Sequence, residues 1–277
     1  MSSVTFDTLR VDAPLFSKET VLKNDRAWIQ LKESLLADKE FYWEVRKDNQ
    51  INVYFEGGNV IRLHYCSRYK CLQAFIHEKY LGIDGKKYID FLGYGKTNDV
   101  ALEEIKRHIK EFYSQKKGSD KEKWSEKFIQ SQYILKYRSR YIDSEFAYKN
   151  EDFDLRIDLV ECINGEIQFV ELKRLDDARM LKETDASPEV INQINDYRKF
   201  IKKYKNAIVK YYQKVWDIKD LMNLPNTPIR PNSINTEPHL LIFNRWTKSH
   251  PKRVEHVRRM ERILNRECVN YHIENEI

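Results

Sequence analysis

The stretch RIDLVECINGEIQFVELKRL, residues 156–175, contains two runs of alternating, largely apolar residues joined by Asn-Gly. Alternation of this kind is typical of a half-buried strand, and Asn-Gly favours a two-residue type I′ turn with positive φ at both positions. The pattern therefore predicts a β-hairpin with Asn164 and Gly165 as its turn. Counting back along both strands places Asp158 directly opposite Glu171, although like charges in that position destabilise a sheet.

The hairpin has one apolar face and one charged face, because neighbouring side chains alternate across a strand. The apolar face, which we expect to be buried, carries Leu155, Ile157, Leu159, Val170 and Leu172. The charged face carries Arg156, Asp158, Val160, Phe169, Glu171 and Lys173. The apolar members of the charged face indicate that it too is partly covered.

A facing carboxylate pair in a partly desolvated sheet predicts a metal site. At about 5 Å and an effective dielectric near 20, Asp158 and Glu171 repel by roughly 3 kcal/mol. Magnesium offsets such repulsion, since it binds one or two carboxylates together with waters and phosphate oxygens. Lys173 faces the same volume and would stabilise developing hydroxide. The alternative is a charge ladder, with Asp158 paired to Lys173 and Arg156 to Glu171, which contributes little on an exposed strand.

Other elements follow from the same kind of pattern. Apolar residues at a spacing of four and three predict a long helix beginning at Pro188, along the stripe Val190, Ile194, Tyr197, Ile201, Tyr204, Ile208, Tyr211 and Val215. A helix over 121–141 is predicted before the hairpin. A buried strand at 238–243, a basic helix at 251–267 and a strand at 268–273 are predicted to close the chain.

The N-terminal half predicts a separate α+β domain. Helices are expected at 25–37 and 99–113. Between them, strands at 41–47, 51–56, 59–66 and 71–81 form a meander with Gly57-Gly58 as one turn. Residues 114–123 contain no apolar residue and mark the break. We therefore divide the chain into domains 1–117 and 118–277, with Ser119 and Glu122 as a capping box opening the next helix at Trp124.

Composition narrows the class of protein. The chain has 277 residues, of which 41% are hydrophobic and 33% charged, as in a globular protein. No run of about 18 apolar residues and no signal-peptide pattern is present, so we expect a cytoplasmic protein without membrane contact. The four cysteines, without CxxC spacing, argue against a disulfide framework, a zinc site or an iron–sulfur cluster; they are Cys66, Cys71, Cys162 and Cys268.

The net charge of +6 is concentrated in two basic stripes, at 202–214 and 248–266. Such stripes are typical of a protein that binds a phosphate backbone, although a solvated helix face is the alternative for either one. The residues singled out as candidate nucleic-acid contacts are Lys202, Arg258, Arg259 and Arg262.

Asp158 followed by Glu171-Leu172-Lys173 resembles the PD-(D/E)xK nuclease superfamily, which has the restriction-endonuclease-like fold. The residue before Asp158 is Ile157 where the motif has Pro, a departure that the superfamily often shows. The segment QINDY, 193–197, resembles the Gln-x-x-x-Tyr motif of the RecB-type, lambda-exonuclease-like branch. Gln193 and Tyr197 are one helical turn apart and share a face. The alternative for Tyr197 is an ordinary core position.

The resemblance covers residues 119–277 and implies a mixed central sheet flanked by helices. It also implies Mg²⁺- or Mn²⁺-dependent hydrolysis of phosphodiester bonds in DNA, with RNA as an alternative substrate. The implied catalytic residues are Asp158, Glu171, Lys173, Gln193 and Tyr197. Superfamily members often add a Glu from the first helix to the metal site, and we choose Glu126 to join Asp158 and Glu171. Glu122 is the rival, and its other role is helix capping.

Two other classes of function stay open at this point. One is a nucleic-acid-binding protein of the same fold that has no catalytic activity. The other is an interaction protein whose charged hairpin is a surface ladder. The sequence does not fix endonuclease against exonuclease action or the oligomeric state, for which a homodimer is one option.

Overall fold

The computed structural model describes residues 26–46, 50–66, 71–85, 87–90, 99–114, 125–177, 180, 188–244 and 251–275. Within these ranges the protein is α+β, with two sheets and five α-helices. It divides into two compact units, the first extending to Ser139 and including 213–226, the second comprising 140–212 and 227–277. No helix in the described part of the chain is long and apolar enough to cross a membrane.

The predicted boundary between residues 117 and 118 lies outside the described residues. The division between the compact units comes later, at Ser139, so the helix that precedes the hairpin belongs to the first unit. The long helix after the hairpin is divided between the units at residues 212 and 213.

The first unit contains a five-stranded antiparallel meander in chain order. Its elements are α1 (Arg26–Ala37), β1 (Tyr42–Arg46), β2 (Gln50–Phe55), β3 (Gly58–Cys66), β4 (Cys71–His77), a 3-10 helix (Glu78–Leu81), β5 (Tyr88–Asp90), α2 (Asp99–Ser114) and α3 (Glu126–Lys136).

The meander agrees with the prediction except in its turns and its last strand. The β2–β3 turn is formed by Glu56 and Gly57, with φ of 47° and 80°, so the predicted Gly57-Gly58 turn was wrong by one residue. Gly58 instead begins β3 and pairs with Phe55. The strand predicted to reach residue 81 ends at His77, whose ring accepts a hydrogen bond from the Lys79 N–H and caps the 3-10 helix. The sequence pattern did not predict β5.

The second unit contains a six-stranded mixed sheet in the order β11-β10-β8-β7-β6, with β9 also paired to β8. Strands β6, β7 and β8 are antiparallel, whereas β10 is parallel to β8 and β11 is parallel to β10. The elements are β6 (Tyr141–Lys149), β7 (Asp154–Ile163), β8 (Glu166–Arg174), α4 (Glu189–Leu221), β9 (Ser233–Ile234), β10 (His239–Phe243), α5 (Pro251–Arg266) and β11 (Asn270–Glu274).

The helix predicted over 121–141 was too long. The structure begins α3 at Glu126, where the Ser125 hydroxyl caps the helix by accepting a hydrogen bond from the Phe128 N–H at 3.1 Å. The helix ends at Lys136, and Tyr141 begins β6, a strand that the prediction missed. The predicted cap at Ser119 lies outside the described residues.

The predicted hairpin is confirmed in its turn and in the register of the pairs from Leu159–Val170 to Ile163–Glu166, and the ladder ends before the predicted Asp158–Glu171 pair. Asn164 and Gly165 have φ of 52° and 84°, and Ile163 pairs with Glu166. The second face of the hairpin is covered by α4: the Phe200 ring of this helix stacks on Phe169 with centroids 6.4 Å apart. The hairpin is therefore covered on both faces, and Glu171 and Lys173 lie in a desolvated layer, whereas Arg156 stays exposed.

Candidate functional site

Asp158 and Glu171 lie where the pairing between β7 and β8 ends. The last paired residues of the ladder are Leu159 and Val170. Beyond this pair, the Leu172 N–H donates a hydrogen bond to Asp158 Oδ2 at 2.9 Å. The acceptor is therefore a side chain of β7 and not one of its backbone carbonyls. On its other edge β8 pairs with β10. The Asp158 carboxylate is thus held by a backbone N–H at the point where β7 and β8 separate.

Glu171 and Lys173 form an ion pair in the interior of the second unit. Each residue is 1% exposed. Lys173 Nζ contacts Glu171 Oε1 and lies 3.6 Å from Asp158 Oδ2, and it also donates to the Leu172 carbonyl at 3.1 Å. The ammonium group therefore lies between the two carboxylates and interacts with both. This arrangement contains the Asp158–Lys173 contact of the charge-ladder alternative, but in a buried place where an exposed ladder was expected.

Tyr197 joins the site through its hydroxyl, while its ring is part of the core at 2% exposure. The hydroxyl oxygen is 2.6 Å from Glu171 Oε2 and 2.7 Å from the Arg156 carbonyl oxygen. A hydroxyl has one proton and can donate to only one of these acceptors. Both contacts are satisfied when Glu171 is protonated, because the acid can then donate to Tyr197 while Tyr197 donates to the carbonyl.

The electrostatics of Glu171 agree with that proton arrangement. Burial, and after it the nearby charge of Asp158, raise the pKa of Glu171 from 4.5 to about 7 against the lowering effects of Lys173 and Tyr197. Desolvation disfavours the charged form of an acid, and a like charge adds to the cost. Titratable groups with such strongly shifted pKa values are typical of functional sites.

Gln193 begins the turn of α4 that ends at Tyr197. Its side-chain oxygen Oε1 is buried and has no hydrogen-bond partner in the described part of the protein. A buried acceptor without a partner costs free energy and is uncommon in folded proteins. A ligand or a bound water could donate the missing hydrogen bond to Gln193 Oε1.

Among the described residues, no group of three His, Cys, Asp or Glu side chains is placed to hold a metal ion. Glu126 begins α3 in the first unit, whereas Asp158 and Glu171 belong to the second. A role for Glu126 stays a prediction. The rival Glu122 lies outside the described residues. The two hairpin carboxylates suit one half of a magnesium site, since their oxygens are the hard donors that this cation prefers.

One residue beside the site, Glu145, was missed by the sequence reasoning. Ser144 pairs with Leu159 and Phe146 with Ile157, so Glu145 of β6 lies in the row of Asp158. Its backbone has φ of 50°, an unusual value for a residue other than glycine.

Glu145 forms an ion pair with Arg156 at 2.7 Å. The Arg156 side chain is 62% exposed, so a positive group stands two residues before Asp158. The alternating pattern of 141–149 could have revealed β6, but only the register reveals its position beside the acids.

The candidate nucleic-acid contacts lie on exposed parts of helices. Arg258 and Arg262 are exposed on α5 and Lys202 is exposed on α4, whereas Arg259 is half-buried. Helix α5 carries six basic and two acidic residues, and Arg262 contacts Glu255 at 3.1 Å. The helix therefore has a net positive charge, as predicted, but its arginines are interspersed with acids.

Comparison of the chain with protein-family models, with curated proteins and with solved structures gives no match. Any functional conclusion therefore depends on the residues and their geometry.

Proposed function

We propose that this protein is a metal-dependent nuclease that hydrolyses phosphodiester bonds, with DNA as its substrate and a restriction-endonuclease-like second unit. The observation that carries the proposal is the contact of the buried pair Glu171 and Lys173 with the half-buried Asp158, at the point where two strands of a mixed sheet separate. This grouping matches the Asp and Glu-x-Lys pattern of the PD-(D/E)xK superfamily. The buried, partnerless oxygen of Gln193 and the Tyr197 hydroxyl on α4 support the same reading.

Each of these residues has a distinct part in the proposed reaction. Asp158 and Glu171 would hold Mg²⁺, which supplies an acidified water and offsets charge on the phosphoryl group. Lys173 would stabilise, through its positive charge, the negative charge that develops on the attacking oxygen. Tyr197 fixes the orientation of the Glu171 carboxylate through its 2.6 Å contact. Gln193 would accept a hydrogen bond from the attacking water.

Lys173 is held in a fixed position because its ammonium group is buried between two carboxylates. A buried ammonium that contacts two carboxylates cannot move away without leaving uncompensated charge, which costs several kcal/mol. The group is therefore preorganised, which is what stabilisation of a developing charge requires. A solvent-exposed charge ladder needs no such arrangement.

The test is cleavage of linear, circular and single-stranded DNA with and without Mg²⁺ or Mn²⁺. Wild-type protein should cleave only with metal, and Lys173→Met should lose cleavage while retaining DNA binding, because phosphate contacts elsewhere supply most of the affinity. Gln193→Ala should cleave more slowly. Lys199→Met, an exposed lysine on α4, is the matched control and should cleave normally.

Full activity of Lys173→Met would refute the site. Salt-sensitive DNA binding without metal-dependent cleavage by the wild type would instead favour a nucleic-acid-binding protein that lacks catalysis.

A further inference from the structure

Strand β11 forms one edge of the six-stranded sheet, and in the described part of the chain it pairs only with β10. Asn270 and His272 are exposed, while Tyr271, Ile273 and Glu274 are half-buried. An edge strand presents backbone N–H and C=O groups with which another strand can pair, so proteins commonly block such edges with Pro, Lys or a β-bulge. Strand β11 contains none of the three.

The opposite edge of the same sheet is protected in this way. Strand β6 has a register shift between Tyr141 and Asp143, and Glu145 lies at φ of 50°. Most residues of β6 are also buried. The two edges therefore differ, and β11 is the one that can accept a further strand.

Tyr271 and Ile273 direct their backbone groups out of the sheet. The Asn244 N–H donates to the Glu274 carbonyl at 2.8 Å, so the backbone of Glu274 faces β10. In a strand the N–H and C=O of one residue point to the same side, and those of the next residue point to the opposite side. The backbone of His272 therefore also faces β10, whereas Tyr271 and Ile273 present their N–H and C=O groups at the open edge.

A second copy of the chain fits this pattern by antiparallel pairing about a two-fold axis at His272. Tyr271 then lies opposite Ile273 of the second copy, and the two residues exchange both of their backbone hydrogen bonds. The axis repeats this pair on its other side, so every outward backbone group of Tyr271 and Ile273 gains a partner. Their side chains also match, because both lie on one face of the strand and each meets the apolar surface of the other.

A groove on α5 lies beside this edge and is self-complementary in charge. Burial and, after it, the charge of Glu261 raise the pKa of Tyr271, while Asn265 lowers it, so this side of α5 lies next to β11. The two-fold axis would place a second α5 antiparallel to the first, where the acids of one groove can face the bases of the other. The groove has a volume of about 500 Å³ and is lined by two acids, two bases and an amide, namely Glu255, Glu261, Arg258, Arg262 and Asn265.

We propose that two copies of this protein associate edge to edge through β11, so that their six-stranded sheets join into one continuous sheet. The interface is isologous, which is the usual arrangement of a two-fold dimer. A strand of a different protein could use the same backbone groups, but it would not require β11 and the α5 groove to complement themselves. The dimer goes beyond the proposed nuclease function and does not depend on it.

Sedimentation velocity over a wide range of protein concentration measures the association. The wild type should form a species of twice the 33.4 kDa of one chain, and its share should rise with concentration. Ile273→Pro removes an outward N–H that β10 does not use, so the variant should fold. It should raise the dissociation constant of the dimer roughly tenfold or more, since each copy loses one hydrogen bond. Ile273→Val keeps the N–H and is the matched control, which should dimerise as the wild type does.

Substitutions of His272 test the position of the axis without changing the backbone. The His272 side chain is 60% exposed and would face its own copy across the axis. His272→Glu and His272→Lys should each weaken the dimer roughly fivefold, because like charges then lie opposite each other. An equimolar mixture of the two variants should restore it, because opposite charges then face each other. This test holds even if Ile273→Pro does not fold.

A wild type that stays monomeric at every concentration would overturn the proposal, as would a folded Ile273→Pro that dimerises like the wild type. The register about His272 would be wrong, and the proposal with it, if the mixture of charged variants associated no better than each variant alone. A dimer formed elsewhere on the protein would leave all of the His272 and Ile273 variants associated. Weakened association of Ile273→Pro with restored association of the mixture supports the proposed interface.

Discussion

Replacement of Glu171 by Gln should make the metal-free protein more stable at high pH. Glu171 is 1% exposed, and its pKa is raised from 4.5 to about 7, mainly by burial and then by the charge of Asp158. A rise of that size corresponds to about 3 kcal/mol for holding the ionised acid in the folded protein. Gln cannot ionise, so the variant does not incur this cost.

The sign follows from linkage between protonation and folding. Below pH 4.5 Glu171 is protonated in the folded and the unfolded chain and contributes no difference. Between pH 4.5 and about 7 the unfolded chain loses the proton while the folded protein retains it, so wild-type stability falls. Above pH 7 Glu171 is ionised in both states, and the folded wild type carries the full free-energy cost of the buried charge. The gain from Glu171→Gln should therefore be about 1 kcal/mol at pH 5 and about 3 kcal/mol at pH 8.

The contacts of the site are compatible with this substitution. A Gln side chain can accept from Lys173 through its oxygen and donate from its amide to the Tyr197 hydroxyl, which then donates to the Arg156 carbonyl. The network would be satisfied without a titrating proton. The variant should thus keep the wild-type packing.

Urea denaturation in chelator at pH 5 and pH 8 measures both free energies of unfolding. Glu166→Gln is the matched control, because Glu166 is exposed at the start of the same strand and should show no gain that depends on pH. Equal stability of Glu171→Gln and wild type at pH 8 would refute the reasoning. Magnesium at a hundred times its dissociation constant should stabilise the wild type by about 2.7 kcal/mol at pH 8 and the Gln variant far less.

Three further variants test the contacts of Asp158, the contacts of Tyr197 and the role of α5. Asp158→Asn keeps an acceptor for the Leu172 N–H but removes a negative charge near Glu171. The pKa of Glu171 should then be less raised, so the fall in the free energy of unfolding with pH should end at a lower pH. The same urea measurements would contradict this if the fall ended at the wild-type pH. Tyr197→Phe should lose about 1–3 kcal/mol in those measurements at pH 5, because the Arg156 carbonyl loses its donor; wild-type stability would contradict it. A variant of α5 in which Arg258, Arg259 and Arg262 are all replaced by Ala should bind DNA with a weaker dependence of affinity on salt concentration, corresponding to the release of about three fewer counterions. An unchanged salt dependence would exclude this helix from the interface.

Much of the fold could be predicted because its signals are local. Asn164-Gly165 fixes a turn that demands positive φ at both positions, and the register of the hairpin follows from it by counting. The apolar stripe of α4 likewise depends only on spacing along the chain, although the backbone leaves helical geometry at Tyr204, with φ of −119° and ψ of 16°. Neither prediction required knowledge of a partner element.

The missed features depend on how one strand pairs with another, which the pattern within a single segment does not determine. β6 is a strand because it pairs with β7, although residues just before it continue a helical pattern to Lys136. The β7–β8 ladder ends before Asp158, where the Leu172 N–H bonds to the Asp158 side chain and no longer to the β7 backbone. Hairpin periodicity alone gives no sign of either event.

Tyr197 shows why a core role and a functional role were hard to separate in the sequence. The apolar periodicity of α4 places Tyr197 in the buried stripe, and its ring is indeed buried. The same helix, however, covers the charged face of the hairpin, since Phe200 stacks on Phe169 two residues before Glu171. A ring that packs in this layer therefore brings its hydroxyl to the carboxylate. The candidate site borders the core of the second unit. Burial of Tyr197 therefore agrees equally well with a role in packing and with a role in the site.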